Sequence, residues 1–211
     1  MPTALTTNDD WAYAAAAALA AVGILGTALG IRALRSGPLR DPGCSEAAYV
    51  AKIDGQKYES ATTGRRAYEY MPYVIAASHH FGVPADVMAG LTHTESKWNP
   101  NAESGAGAIG IAQFLPATAK ILRNQLLSKG DWPFGALDLY NPQQNTWLSA
   151  YYIKRLLRER DLEHAVAAYN AGGGAIKTDP PHKWPKQTQA YVPAVFKRAA
   201  WYRELWDECE T

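Results

Sequence analysis

The sequence predicts a mainly α-helical domain, on three observations. Apolar residues recur every three or four positions along six long segments, proline and asparagine stand where several of these segments begin, and strand-like alternation is scarce. The predicted helices cover residues 64–81, 84–97, 116–128, 142–160, 161–171 and 190–206. The glycine-rich stretch between the second and third helices has room for one small hairpin.

An uncharged segment covers residues 11–31 and is about long enough to span a bilayer as a helix. Its many alanines make it only weakly apolar. Asp9 and Asp10 precede it and no lysine or arginine does, so it lacks the basic start of a cleavable signal peptide. We therefore expect residues 1–34 to contain a retained apolar helix that lies in a membrane or in a protein assembly.

Residues 35–46 mix proline, glycine and charged residues, as linkers do. The folded domain is expected over residues 47–211, a length that suffices for one well-buried core. Cys44 and Cys209 stand near the two ends of this domain without metal-ligand spacing. The sequence leaves open whether they form a terminal disulfide or remain separate.

Charge and histidine placement exclude some classes of function. Twenty-one basic residues against twenty acidic ones argue against a nucleic-acid-binding protein that relies on bulk charge. His79, His80 and His93 could suggest a metal, but His93 and Glu95 are two positions apart and face different ways on a helix. We therefore predict no metal site and no cofactor.

The second predicted helix, residues 84–97, places a carboxylate on its apolar side. Glu95 follows Leu91 at helical spacing, and Pro100 limits the helix to about one further turn. At that end the carboxylate meets the negative pole of the helix dipole and an apolar wall, which both favour its protonated form. Glu95 is therefore expected to have the raised pKa of a general acid. The alternative is a solvated glutamate beside Lys97.

A turn-rich loop separates the second and third helices. Ser104, Gly107 and Gly110 allow the backbone of this loop to approach a ligand closely. Gln113 stands at the end of the loop, and Pro116 suits the first turn of the next helix. We therefore expect this loop to form part of a binding surface.

Two later helices carry recognisable end signals. Asn141 and Pro142 make a good cap and first turn for the fourth helix. The fifth helix ends with Tyr169 and Asn170, which three glycines follow. A tyrosine and an amide in this place can orient an acid or a sugar, and the alternative is a capped helix with a core tyrosine.

Three runs of residues together resemble the soluble lytic transglycosylases and their goose-type lysozyme relatives. The runs are ESKWNPNAESGAGAIGIAQFLPATA, which begins at Glu95, then AAYNAG, and then TQAYV. The resemblance covers roughly residues 68–200 and implies a lysozyme-like domain. One position departs from the family pattern, because Gln187 precedes Thr188 where the family usually has a glutamate.

The resemblance implies roles for individual residues. Glu95 would be the catalytic acid and base, and Ser96 and Tyr169 would hold it in place. The remaining matched positions would line a sugar groove: Gly110, Ala112, Gln113, Asn170 and Tyr191.

The implied reaction needs a single carboxyl group. Most glycosidases use two, roughly 5 Å apart when they retain configuration and about 6.5–9.5 Å apart when they invert it. Inside the three motifs the only second acid is Glu103, which we interpret as a solvated loop charge. In the implied reaction Glu95 protonates the glycosidic oxygen and later takes the proton of the sugar's own 6-hydroxyl, which closes an anhydro ring.

The predicted function is a peptidoglycan lytic transglycosylase. It would cleave the β-1,4 bond between N-acetylmuramic acid and N-acetylglucosamine and leave a 1,6-anhydro-muramic end. Two alternatives stay open: a non-catalytic structural or glycan-binding component of a virion or secretion assembly, and a true hydrolase of goose-lysozyme type.

The expected partners are peptidoglycan glycan strands and, through residues 11–31, a membrane, a virion or a secretion assembly. The expected place of action is the bacterial cell envelope on the periplasmic side, where the enzyme would open the wall locally. Arg32, Arg35 and Arg40 follow the apolar segment, and the positive-inside rule would then leave the domain in the cytoplasm. Carriage in a phage particle or a secretion machine removes this conflict.

Overall fold

A computed structural model describes residues 44–176 and 179–209. The predicted apolar segment at residues 11–31 lies outside this part of the chain. None of the helices formed by the described residues is both long enough and apolar enough to cross a membrane.

The prediction of a mainly α-helical domain is confirmed. In the described ranges the chain forms seven α-helices and one short 3-10 helix, Pro181–Lys183. The α-helices in chain order are α1 Glu46–Asp54, α2 Ala61–Phe81, α3 Ala85–Ser96, α4 Pro116–Leu127, α5 Pro142–Leu156, α6 Leu162–Ala171 and α7 Lys186–Glu208. The glycine-rich loop contains two isolated antiparallel bridges, Glu103 with Ile109 and Ile109 with Phe114, in place of a regular hairpin.

Helix boundaries differ from the predicted ones by one to four residues, and one helix was missed. The predicted helix 142–160 ends at Leu156, because Asp161 caps the next helix by accepting a hydrogen bond from the amide of His164 at 2.8 Å. The last helix begins at Lys186, four residues before the predicted start. Helix α1 was not predicted, since only Tyr49 and Ile53 of its nine residues are buried.

Helix α3 packs closely along α7, and a glycine makes this contact possible. A Cβ atom at Gly90 would overlap the carbonyl oxygen of Val195 and the amide of Ala199. Most of α3, from Val87 to His93, is buried. The last turn of α3 is therefore placed against the side chains of α7.

The two ends of the domain are joined by a covalent bond. Cys44 and Cys209 form a disulfide with their Cα atoms 5.1 Å apart, within the usual range for this bond. The structure thus decides a pairing that the sequence left open.

Candidate active site

The site is built around Glu95 in the last turn of α3. The Glu95 side chain is half-buried, and its Oε1 accepts a hydrogen bond from the hydroxyl of Tyr191 in α7 at 2.6 Å. Lys97 points elsewhere, since its ammonium group donates to the carbonyl oxygen of Tyr58 at 3.1 Å. The alternative of a solvated glutamate beside Lys97 is therefore wrong.

Burial raises the pKa of Glu95 from its ordinary value of 4.5 to about 7. The hydrogen bond from Tyr191 acts in the opposite direction, because it stabilises the ionised carboxylate. Within the described residues, no second carboxyl group perturbs this pKa. The expectation of a raised pKa is confirmed, and the carboxyl group can carry a proton near neutral pH.

Glu103, the other acid within the motifs, lies on an exposed part of the loop. Its carboxylate accepts a hydrogen bond from the hydroxyl of Tyr140, which is also exposed. The interpretation of Glu103 as a solvent-exposed loop charge agrees with this placement.

The chain reverses sharply just after Glu95. Lys97 and Trp98 have φ angles of 53° and 62°, in the left-handed region that non-glycine residues rarely adopt. Ser96 stabilises the reversal, because its hydroxyl accepts from the amide of Asn99 at 3.0 Å and donates to the carbonyl oxygen of Ile111 at 2.7 Å. Ser96 thus joins the end of α3 to the glycine-rich loop, whereas the family resemblance implied that it would hold the carboxylate.

One buried asparagine organises the glycine-rich loop from α5. The side chain of Asn145 donates to the carbonyl oxygens of Ile109 at 3.0 Å and Leu139 at 2.8 Å, and it accepts from the amide of Ala112 at 2.9 Å. Gly110 lies in the middle with φ 84°, and a Cβ atom there would overlap both Asn145 and the Leu139 carbonyl.

Sequence reasoning missed Asn145. The available signal was a polar residue in register with the apolar positions of α5, because Asn145, Leu148 and Tyr152 follow at intervals of three and four. A fully buried amide on such a face has to form hydrogen bonds, since an unpaired one would cost stability.

Tyr169 forms its hydrogen bond with the loop and not with the Glu95 carboxylate. Its hydroxyl donates to the carbonyl oxygen of Ala112 at 2.8 Å, so both backbone polar groups of Ala112 are held by side chains. Burial and the nearby charge of Glu95 raise the pKa of both Tyr169 and Tyr191 well above their ordinary value. Both phenols therefore stay protonated, and the direct contact that was expected of Tyr169 belongs to Tyr191.

The two predicted amide residues have partners of their own. Gln113, at φ 55°, donates from Nε2 to the carbonyl oxygens of Gly110 at 2.9 Å and Ala102 at 3.1 Å, so it braces the loop. Asn170 accepts a hydrogen bond from the hydroxyl of Thr188 at 2.9 Å, which ties the end of α6 to the start of α7.

Several of the candidate residues therefore belong to one network of contacts. Glu95 and Tyr191 are joined directly, while Ser96, Gly110, Ala112 and Tyr169 are linked to them through the loop. In the described ranges, no group of three or more histidine, cysteine, aspartate or glutamate side chains is arranged to hold a metal ion. The arrangement can supply one proton near neutral pH and accept it back.

Comparison with known proteins agrees with this geometry. The family model described as Transglycosylase SLT domain matches residues 72–191. A transglycosylase of Enterobacteria phage PRD1 is 31% identical over 132 residues, covering 62% of this chain and 43% of that protein. Membrane-bound lytic murein transglycosylase C of Actinobacillus pleuropneumoniae is 34% identical over 122 residues, covering 53% of this chain and 33% of that protein. The chain spans less than half the length of these relatives.

Solved structures show the same fold. An inactive mutant of the lytic transglycosylase Slt from Pseudomonas aeruginosa superposes with a TM-score of 0.60 at 23% identity, covering 74% of this chain and 27% of that one. The 70-kDa soluble lytic transglycosylase in complex with bulgecin A superposes with a TM-score of 0.57 at 22% identity, covering 69% of this chain and 26% of that one. The family model matches residues 72–191, more than half of the chain, and the solved structures show the same fold. The chain therefore belongs to the Transglycosylase SLT domain family.

Proposed function

We propose that this domain is a peptidoglycan lytic transglycosylase with Glu95 as its single catalytic acid and base. The observation that carries the proposal is the half-buried Glu95 carboxyl group, with a pKa of about 7 and a hydrogen bond from Tyr191. A group with this pKa can donate and accept a proton within one reaction cycle at neutral pH.

The proposed reaction begins when protonated Glu95 gives its proton to the glycosidic oxygen between N-acetylmuramic acid and N-acetylglucosamine. The bond from C1 of the muramic acid to that oxygen breaks, and the substrate's own N-acetyl carbonyl oxygen stabilises the electron-poor C1. The Glu95 carboxylate then removes the proton of the 6-hydroxyl, whose oxygen bonds to C1 and closes the anhydro ring. No water is consumed, so no second carboxylate is needed to activate one.

Tyr191 and the loop support these steps. Between the two proton transfers Glu95 is a carboxylate, and the Tyr191 hydroxyl donates a hydrogen bond to it. This hydrogen bond fixes the orientation of the Glu95 side chain. Asn145 and Tyr169 hold the backbone of Ala112 from both sides, so the loop presents a rigid wall to the sugar.

A product analysis tests the proposal. The full chain is incubated with purified peptidoglycan, and the soluble fragments are analysed by mass spectrometry before and after borohydride treatment. Anhydro ends lack one water and resist reduction, so they identify the transglycosylase reaction. Fragments with reducible ends would indicate a true hydrolase instead.

A matched variant separates catalysis from binding. Glu95→Gln preserves the shape of the side chain and removes its acid, so it should bind insoluble peptidoglycan and release no fragments. Binding by both proteins without any turnover would favour the non-catalytic, structural alternative.

The proposed role is local opening of the bacterial cell wall, either in phage entry or in assembly of a secretion machine. Similarity to a phage transglycosylase and to a membrane-bound one supports a place at the cell envelope. The disulfide between Cys44 and Cys209 supports an oxidising compartment such as the periplasm. In this proposal residues 1–34 anchor the enzyme, the stretch that follows links it, and the domain closed by the Cys44–Cys209 disulfide is catalytic.

A further inference from the structure

A second tyrosine of α7 contacts the end of α3 on both sides of Glu95. Tyr202 is fully buried, and its hydroxyl lies 2.8 Å from His93 Nδ1 and 2.7 Å from Trp98 Nε1. His93 precedes Glu95 by two positions and Trp98 follows it by three. Both of these partners are themselves fully buried.

The chemistry of the donors fixes the direction of these hydrogen bonds. An indole Nε1–H can only donate, so the Tyr202 oxygen accepts from Trp98. His93 Nε2 lies 3.2 Å from Glu59 Oε2, and since a carboxylate can only accept, a neutral His93 carries its proton on Nε2 and accepts the Tyr202 hydrogen at Nδ1. Burial lowers the pKa of His93, which is consistent with this neutral form.

The chain of contacts ends at Glu59, whose carboxylate is ionised. Burial would raise the pKa of Glu59, but its contacts with His93 and Arg198 outweigh burial and hold the value at about 2. Arg198 in α7 donates to Glu59 Oε1 at 2.8 Å, and the Lys97 ammonium group lies 3.7 Å from Oε2. Glu59 therefore stays ionised beside the His93 ring.

The segment between His93 and Trp98 needs such support. Lys97 and Trp98 hold the left-handed backbone angles described above, which persist only where neighbouring groups enforce them. Tyr202 follows Tyr191 by eleven residues, close to three full helical turns, so both tyrosines lie on the same side of α7. One contacts the Glu95 carboxyl group and the other contacts the backbone segment that carries it.

We propose that Tyr202 is a positioning residue: its hydroxyl joins His93 to Trp98 and so keeps the Glu95 carboxyl group buried beneath Tyr191. The catalytic consequence rests on the proposed function, whereas the positioning itself does not. Loss of the hydroxyl leaves the end of α3 free to move and lets water reach the carboxyl group.

The test compares Tyr202→Phe with a matched control, Tyr49→Phe, in the full chain. Tyr49 is also fully buried, and its hydroxyl also accepts from an indole of α7, Trp206 Nε1, at 3.2 Å. Four quantities are measured for each protein: the melting temperature, kcat, KM and the pKa of Glu95, which is followed by the NMR resonance of its carboxyl carbon. The Glu95→Gln variant assigns the Glu95 resonance.

We expect both variants to melt at lower temperature. Only Tyr202→Phe should lower the pKa of Glu95, by about one unit, because burial is the main cause of its elevation. The same variant should lower kcat by about tenfold and leave KM unchanged. Equal Glu95 pKa values and equal kcat in the two variants would overturn the proposal.

A second variant covers the case in which Tyr202→Phe does not fold. Trp98→Phe removes one of the two hydrogen bonds of Tyr202 and should lower the pKa of Glu95 by a smaller amount. An unchanged pKa in this variant also counts against the proposal. If the wild-type protein shows no turnover of peptidoglycan, the proposed function fails, but the NMR titration still decides the role of Tyr202.

Discussion

The hydrogen bond between Tyr191 and Glu95 makes a quantitative prediction about pH. Tyr191→Phe removes the donor and keeps the ring, so the ionised carboxylate loses its one hydrogen bond from a side chain among the described residues. A hydrogen bond to a charged group contributes about 1.5–3 kcal/mol. One pKa unit corresponds to about 1.36 kcal/mol. The pKa of Glu95 should therefore rise by roughly one to two units above its value of about 7.

Two measurements check this value. The basic limb of the kcat/KM profile on soluble glycan fragments reports the acid in the free enzyme, and an NMR titration of the Glu95 carboxyl carbon reports it directly. Tyr169→Phe is the matched control, because the Tyr169 hydroxyl donates to the Ala112 carbonyl oxygen and not to Glu95. An unchanged or lower pKa in Tyr191→Phe, or an equal rise in Tyr169→Phe, would refute the assignment.

Four further predictions concern catalysis and stability. Glu95→Gln should lower turnover by at least about 10³-fold while the fold persists, as measured by fragment release and circular dichroism. The pKa of Glu95 is higher in the folded state than in the unfolded state, so ionisation of Glu95 costs up to about 3 kcal/mol of stability as pH rises from 4.5 to about 7. Glu95→Gln should therefore melt at a higher temperature than wild type at pH 8 and at the same temperature at pH 4. Asn145→Ala should destabilise the domain by roughly 3–5 kcal/mol in urea unfolding, since three hydrogen bonds are lost and the amide of Ala112 is left unpaired; a change below about 1 kcal/mol would contradict its role. Reduction of the Cys44–Cys209 disulfide, which spans a sequence separation of 165, should cost up to about 5 kcal/mol and lower the melting temperature by roughly 10–20 °C, and equal melting with and without reductant would show that the bond does not form.

Helices with strong local signals were predictable from the sequence. Helix α3 and its end near Glu95 follow from apolar spacing and from Pro100, and α5 follows from the cap at Asn141. These signals act over one or two turns of chain. The same local reasoning predicted the raised pKa of Glu95, because an apolar helix face implies burial wherever that face packs.

Helix α1 was not predictable in this way. Its residues carry little amphipathic pattern, and the helix is held by packing on α2, where Gly64 lets the backbone of Val50 approach. Helices with weak patterns depend on tertiary packing more than on their own propensity.

The sequence by itself determined the helical character of the domain, the place of Glu95 and the family to which its motifs belong. Only the tertiary structure decided which group contacts that glutamate: Tyr191, 96 positions away, and not Ser96 or Tyr169. It also decided that Asn145 holds the glycine-rich loop and that Cys44 meets Cys209. The physical reason is the distance along the chain over which each effect acts. Helical periodicity and capping act between residues a few positions apart, whereas hydrogen-bond partners are chosen by the packing of α3, α5 and α7 around one core.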